Sequence, residues 1–149
     1  MKPYAVNRKA RHDYFIQEDI EAGLVLFGHE VKAIKTGHVS LKGSFVVIRG
    51  GEAYLLNASV PPYQPKNTPK TYDPERSRKL LLNKKELEQL IGKTKEKGLT
   101  LIALKLYNIK GKIKLSIGIG KGKKKFDKRE TLKKRDMKRD VERTLSGKG

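Results

Sequence analysis

The sequence predicts a mainly β fold, a small closed antiparallel barrel with flanking helices and a basic C-terminal tail. Three observations carry that reading. In SFVVIRGGEAYLLNASV two apolar-aromatic runs flank Gly50-Gly51, and in LTLIALKLYNIKGKIKLSIGIG apolar residues alternate with period two about Lys110-Gly111. Paired glycines supply the positive φ angles of a tight hairpin. The third is DYFIQEDIEAGLVLFG, where aromatic and β-branched residues mix with charges and Gly23 interrupts the run. A glycine inside such a strand marks a bulge or a barrel corner. An open α+β sandwich of the same strands is the alternative.

The elements follow in order. MKPYAVNRKARH is polar and basic and reads as an arm with an extended end. After the long bent strand over residues 13–28, HEVKAIKTGH places Val31 and Ile34 at helical spacing with Gly37 as the stop, a short helix. The first hairpin comes next. PPYQPKNTPKTYDPERSR holds five of the six prolines, so it reads as a long loop between Val60 and Leu80. LLLNKKELEQLIGKTKEKG then reads as a helix that enters at Asn83 and ends near Gly98. Asn83 and Glu86 have capping-box spacing, and Leu87, Leu90 and Ile91 form its apolar stripe. The second hairpin completes about six strands with two or three helices, a set that suits a barrel of the oligonucleotide-binding type.

From Lys121 onward thirteen Lys/Arg face five Asp/Glu, and the apolar residues are Phe126, Leu132, Met137, Val141 and Leu145. So little apolar surface does not offset the entropy of ordering the chain. The expected organisation is therefore a domain over residues 1–125 and a tail over 126–149, disordered in isolation. On a helix, Met137, Val141 and Leu145 form one stripe and Arg135, Arg139 and Arg143 another, so a polyanion can order the tail.

Charge sets the function class. Over 149 residues, 35 Lys+Arg against 16 Asp+Glu leave a formal net charge of +19, a self-repulsion that a polyanionic partner relieves. No long apolar run and no signal peptide favours a membrane partner. The absence of cysteine removes disulfides and zinc-thiolate sites and fits the cytoplasm. Gly118, Gly120 and Gly122 miss the dinucleotide fingerprint, no Ser or Thr completes a P-loop, and HEVKA lacks the second histidine of a zinc motif. No cofactor or metal is expected. Three basic segments remain: Arg8, Lys9, Arg11 and His12 beside Tyr4, Tyr14 and Phe15; RSRK; and the run Lys121, Lys123, Lys124, Lys125. Cations hold phosphates while exposed rings stack on unpaired bases. RNA is favoured over duplex DNA because no helix reads as a major-groove reader. The rivals are a structural ribosomal protein with an rRNA-threading tail and a Mg²⁺ nuclease using Glu18, Asp19 and Glu21.

The strings NRKARHDYFI, EAGLVLFGHEVKAIKTG, RKLLLNKKEL, GLTLIALKLY and GKGKKKFDKRE occur here in that order. Together they resemble the SsrA-binding protein (small protein B) family, from about Asn7 to Arg143. The resemblance implies a non-enzymatic adaptor for ribosome rescue. Its barrel binds the tRNA-like domain of transfer-messenger RNA, and the complex enters the A site of a stalled ribosome. Alanyl-tRNA synthetase and elongation factor Tu are indirect partners. It also implies that Glu21, Leu81, Asn83, His12 and the lysine run serve RNA binding. Asp127, Lys128 and Arg129 begin a ribosome-contacting tail that reaches the decoding region and messenger channel through Arg135, Met137, Arg139, Arg143 and Leu145. Leu81 and Asn83 have ordinary readings too, a core leucine and a helix cap.

Overall fold

The computed structural model describes residues 2–123. The expected tail over 126–149, with its Asp127-to-Leu145 contacts, lies outside the described residues, as do Lys124 and Lys125. Both hairpins are present. Strands β3 (Phe45–Arg49) and β4 (Glu52–Leu56) turn through Gly50 and Gly51 at φ 57° and 77°. Strands β6 (Leu99–Ile109) and β7 (Lys112–Gly122) turn through Lys110 and Gly111 at φ 50° and 80°. Both central residues of each turn are left-handed, which matches the twist of the strands they join.

Strand β2 (Tyr14–Leu24) pairs antiparallel with β7 and slips register between Ile16 and Glu18. Gly23 opposes both Lys114 of β7 and Leu81 of β5 (Arg78–Leu81). At Gly23 the β7 ladder therefore ends as β5 joins the other edge of the strand, while the bulge sits six residues earlier, at Gln17. With β1 (Ala5–Val6) at one edge, the full order is β1-β6-β7-β2-β5-β4-β3, and the sheet curls until β3 lies against β6. No ladder joins its two ends among the described residues, so the barrel outline is not closed by hydrogen bonds.

Inside the curl, Leu55, Leu80, Leu101, Leu106, Leu115, Ile117 and Ile119 are at most 3 % exposed. Each such side chain stabilises the fold by roughly 1.5–3 kcal/mol. Helix α2 (Gly28–Lys35) adds Ala33 and Ile34, and α3 (Lys84–Thr94) adds Leu90. Helix α3 begins as its sequence predicts: Asn83 Oδ1 accepts the Glu86 N–H at 2.8 Å, and Glu86 Oε1 accepts the Asn83 N–H at 3.1 Å.

Two expectations are corrected. The N-terminal segment is not a free arm. Its β1 (Ala5–Val6) pairs with β6, and α1 (Arg8–Asp13) buries Ala10 against Ile102 and Leu104. Asn7 secures the join, its side-chain amide donating to Ala103 O at 2.9 Å. A two-residue strand and one buried alanine leave too little periodicity to read. The RSRK segment is not a surface cation cluster either. It runs into β5, which raises the count to seven strands, and Arg78 is 1 % exposed.

The glycines of β7 serve close approach. A Cβ on Gly120 would stand 2.5 Å from Phe15 O, and one on Gly118 2.9 Å from Leu104 Cδ1. Gly120→Ala is therefore expected to cost about 2 kcal/mol or more by forcing β2 from β7. Gly122→Ala, whose nearest neighbour is Tyr14 Cε1 at 3.9 Å, should stay within ~0.5 kcal/mol. Urea denaturation of the two variants checks the contrast, and equal midpoints would refute it.

Candidate nucleic-acid interface

Successive side chains of a strand alternate between faces. On β2 that places Asp19, Glu21 and Gly23 on the face opposite the core. Across the ladder they oppose Gly118, Ser116 and Lys114. Arg8 and Arg11 of α1 join Asp19, Lys105 and Ser116 around a depression of about 310 Å³. Glu21 Oε1 accepts a hydrogen bond from the Tyr107 hydroxyl at 2.6 Å. Burial and then that bond hold the Tyr107 phenol above its ordinary pKa. The Lys105 ammonium lies 5.3 Å from the Tyr107 ring centroid. Beyond Gly23, Leu81 and the Lys114 ammonium close over the glycine, which carries no side chain to keep them off.

Leu81 is 52 % exposed, so the core-leucine reading fails. It lines a groove of about 320 Å³ with Lys112 and Lys114. One strip thus brings together Arg8, Arg11, Glu21 and Leu81 from the sequence prediction. Lys105, Tyr107 and Lys114 join them unforeseen, because their face becomes known only once β6 and β7 have a register. Asn83 is exposed and follows Leu81 closely in the chain, and its carbonyl is committed to the helix cap.

The other expected residues lie elsewhere. Lys9 faces Lys42 across a separate depression, and His12 is half-buried on α1. Lys121 opposes Phe15 at the ladder's end. The Lys123 ammonium lies 4.8 Å from the Phe15 ring centroid and donates to Arg11 O at 3.0 Å. Phe15 is 50 % exposed, a cation-flanked aromatic surface, whereas Tyr14 packs against Ala10, Ile102 and Leu104. The three acids do not converge. Glu18 is taken by Lys93 at 3.3 Å and Gln89 at 3.1 Å on α3, away from the Glu21 face. No group of three His, Cys, Asp or Glu able to hold a metal lies among the described residues, nor a helix long and apolar enough to cross a membrane.

Behind the strip sits the buried Glu30. Its Oε2 accepts from Arg78 Nε at 2.9 Å and Nη2 at 2.7 Å, and Arg76 holds both oxygens. Arg78 Nη1 also donates to Ala58 O at 2.8 Å, and its Nη2 to Pro74 O at 2.9 Å. Burial alone would raise the Glu30 pKa. The bonds from Arg76, the Phe27 N–H and Arg78 outweigh it and hold the carboxyl at about 2. Nothing in the spacing of Glu30, Arg76 and Arg78 announces this cluster.

A curled antiparallel sheet carrying an exposed strip of cations, one anchored acid and an apolar tip defines a small, basic polyanion-binding β-protein. The chain belongs to the SmpB protein family, which matches residues 4–147. It is similar to the SsrA-binding protein of Bacillus pumilus, 56 % identical over 97 % of this chain and 92 % of that one. It is 52 % identical to that of Halalkalibacterium halodurans, over 99 % of this chain and 95 % of that protein. A solved structure described as "tmRNA-SmpB: a journey to the center of the bacterial ribosome" contains a similar chain. That chain is 46 % identical with a TM-score of 0.66, over 85 % of this chain and 92 % of that one.

Because the Glu30 value lies below its ordinary 4.5, the stability it contributes is complete above that value and is lost as pH falls toward about 2. Glu30→Gln leaves two guanidiniums without a counter-charge and is expected to cost about 3–5 kcal/mol near neutral pH. Its urea midpoint should also fall less between about pH 5 and pH 3 than that of the unaltered protein. An identical fall in both proteins would remove Glu30 from the acid response.

Proposed function

We propose that this chain is a non-catalytic RNA-binding adaptor that holds the tRNA-like domain of transfer-messenger RNA against the β2–β7–β6 strip and brings it to the A site of a stalled ribosome. The observation that carries the reading is the convergence of Glu21 and Leu81 with Arg8, Arg11, Lys105 and Lys114 on one exposed face. The naming of the relatives as SsrA-binding proteins supports the same partner.

The chemistry divides by residue. Arg8, Arg11, Lys105 and Lys114 neutralise phosphates and release counterions. Tyr107 occupies Glu21 Oε1, which orients the carboxylate so that Oε2 can accept from a ribose hydroxyl or base amine. Leu81 gives an apolar contact for an unstacked base or sugar edge. Lys121, Lys123 and the half-exposed Phe15 extend the basic surface toward Lys124, Lys125 and the tail. His12, Lys9 and Asn83 contact RNA at its margins. The tail from Asp127, with Lys128, Arg129, Arg135, Met137, Arg139, Arg143 and Leu145, enters the decoding region and messenger channel. Elongation factor Tu and alanyl-tRNA synthetase act on the RNA rather than on this chain, which works in the cytoplasm.

The test is binding of the tRNA-like fragment measured across salt concentrations. Glu21→Ala is expected to weaken it ~10-fold, the worth of one hydrogen bond to a charged group. Lys114→Ala should weaken it and flatten the logarithmic salt slope by about 0.7–1. Unchanged affinity in both variants would discard the strip. Removing residues from Asp127 onward should spare affinity and abolish tagging of nascent chains on stalled ribosomes. Loss of affinity in that truncation would refute the division of labour.

A further inference from the structure

The loop between β4 and β5 packs beside the start of α2 and borders an open depression of about 540 Å³ that shares no residue with the strip. Its walls include Phe27, His29, Pro69, Tyr72, Asp73 and Arg76. We infer that this depression is a second RNA site, which takes a single unpaired nucleobase against the continuous surface formed by Phe27, Arg76, His29 and Tyr72. The inference rests on the RNA-binding reading above and adds to it a contact on a different part of the surface.

The rings are arranged for it. Phe27 is 51 % exposed although it starts a helix on the core side of the sheet. The Arg76 guanidinium stacks 4.1 Å from the Phe27 centroid. His29 meets Tyr72 edge-on at 4.5 Å and Phe27 at 5.7 Å. The His29 Nδ1 is buried without a hydrogen-bond partner, so aromatic contact is what holds that ring. The walls are also stiff. Arg76 is clamped from behind by Glu30, and the Tyr72 hydroxyl lies 2.7 Å from Val60 O and accepts from Arg78 at 3.0 Å. A platform fixed before binding loses little entropy when a ligand stacks on it.

Charge selects the occupant. Two guanidiniums share the single Glu30 carboxylate, and the exposed Lys66 and Lys70 stand on the same loop. Of these cations Arg76 lines the depression itself, and a ligand that carries a phosphate gains from Lys66 and Lys70 at its margin what an apolar side chain does not. A nucleotide brings a flat π face for the rings and the guanidinium, and a phosphate for the lysines. Thr71 and Asp73 supply acceptors for an exocyclic amine.

The experiment uses the full chain, with 5′-AMP and a single-stranded oligoadenylate as probes. His29 and Phe27 ring resonances should shift on adding either probe. Phe27→Ala should weaken oligoadenylate binding on the order of tenfold, the loss of one base–aromatic stack, and Phe27→Tyr should restore it. Lys114→Ala, on the strip, should leave the His29 shift intact. If oligoadenylate binds while His29 stays still and Phe27→Ala binds normally, this site is overturned and the strip stands. If the tRNA-like fragment binds but neither probe does, this inference alone is overturned, and if the fragment also fails to bind, the proposed function falls with it. If the ring resonances answer to N-acetylphenylalanine amide but not to 5′-AMP, the depression receives a protein side chain and the inference is overturned.

Discussion

The buried contact of Glu30 with Arg76 and Arg78 is the interaction on which the remaining geometry depends. It ties α2 to the proline-rich loop and to β5, and through Ala58 O it reaches the segment after β4. Desolvating an ion pair offsets most of its attraction, so its net contribution to stability is small compared with its directionality. A guanidinium with most of its donors paired allows one seating of β5. That seating sets Leu81 opposite Gly23 and thereby carries an apolar side chain to the exposed face beside Glu21. The same clamp holds Arg76 flat on Phe27, so the strip and the aromatic depression share one foundation.

A second constraint is spatial. The sheet curls because β2 serves two partners, β7 along most of its length and β5 at Gly23. The curl tightens on β7 because Gly118 and Gly120 admit Leu104 and the Phe15 backbone where side chains would collide. These glycines lie in the stretch that superficially suggests a phosphate-cradling loop. They act instead in packing between strands, on the surface that α1 covers. The resulting closeness puts Arg8 and Arg11 within reach of Asp19 and Ser116.

Electrostatically the molecule is a large excess of positive charge sorted by burial. Arg78 is buried on Glu30, Arg76 holds the same carboxylate from a part-exposed position, and Lys93 pairs with Glu18 at the surface. Arg8, Arg11, Lys105, Lys112 and Lys114 remain outside to meet a polyanion. Asp19 and Glu21 are the acids among them, and Glu21 is the informative one. An acid on a cationic face weakens nonspecific phosphate attraction, and its fixed hydrogen bond to Tyr107 gives it a defined orientation. Such a group suits recognition of particular donors better than bulk attraction.

Local signals in the sequence determined the two hairpins, the Asn83 cap, the α2 stop at Gly37 and the basic character of the partner surface. Each depends on a glycine conformation, a capping pair or a sum of charges, and none needs a distant residue. The ordered strings also carried the family. Tertiary structure alone decided that the N-terminal segment is paired to β6, that Leu81 is exposed, and that Arg78 is core. Exposure of a leucine or burial of an arginine is settled by what packs over it, here Gly23 below Leu81 and Glu30 beside Arg78. The same holds for Lys105, Tyr107 and Lys114. Their period-two pattern marks a strand, but the identity of the face they share with Glu21 follows from the register of β2, β7 and β6, which is a property of contacts far apart in the chain.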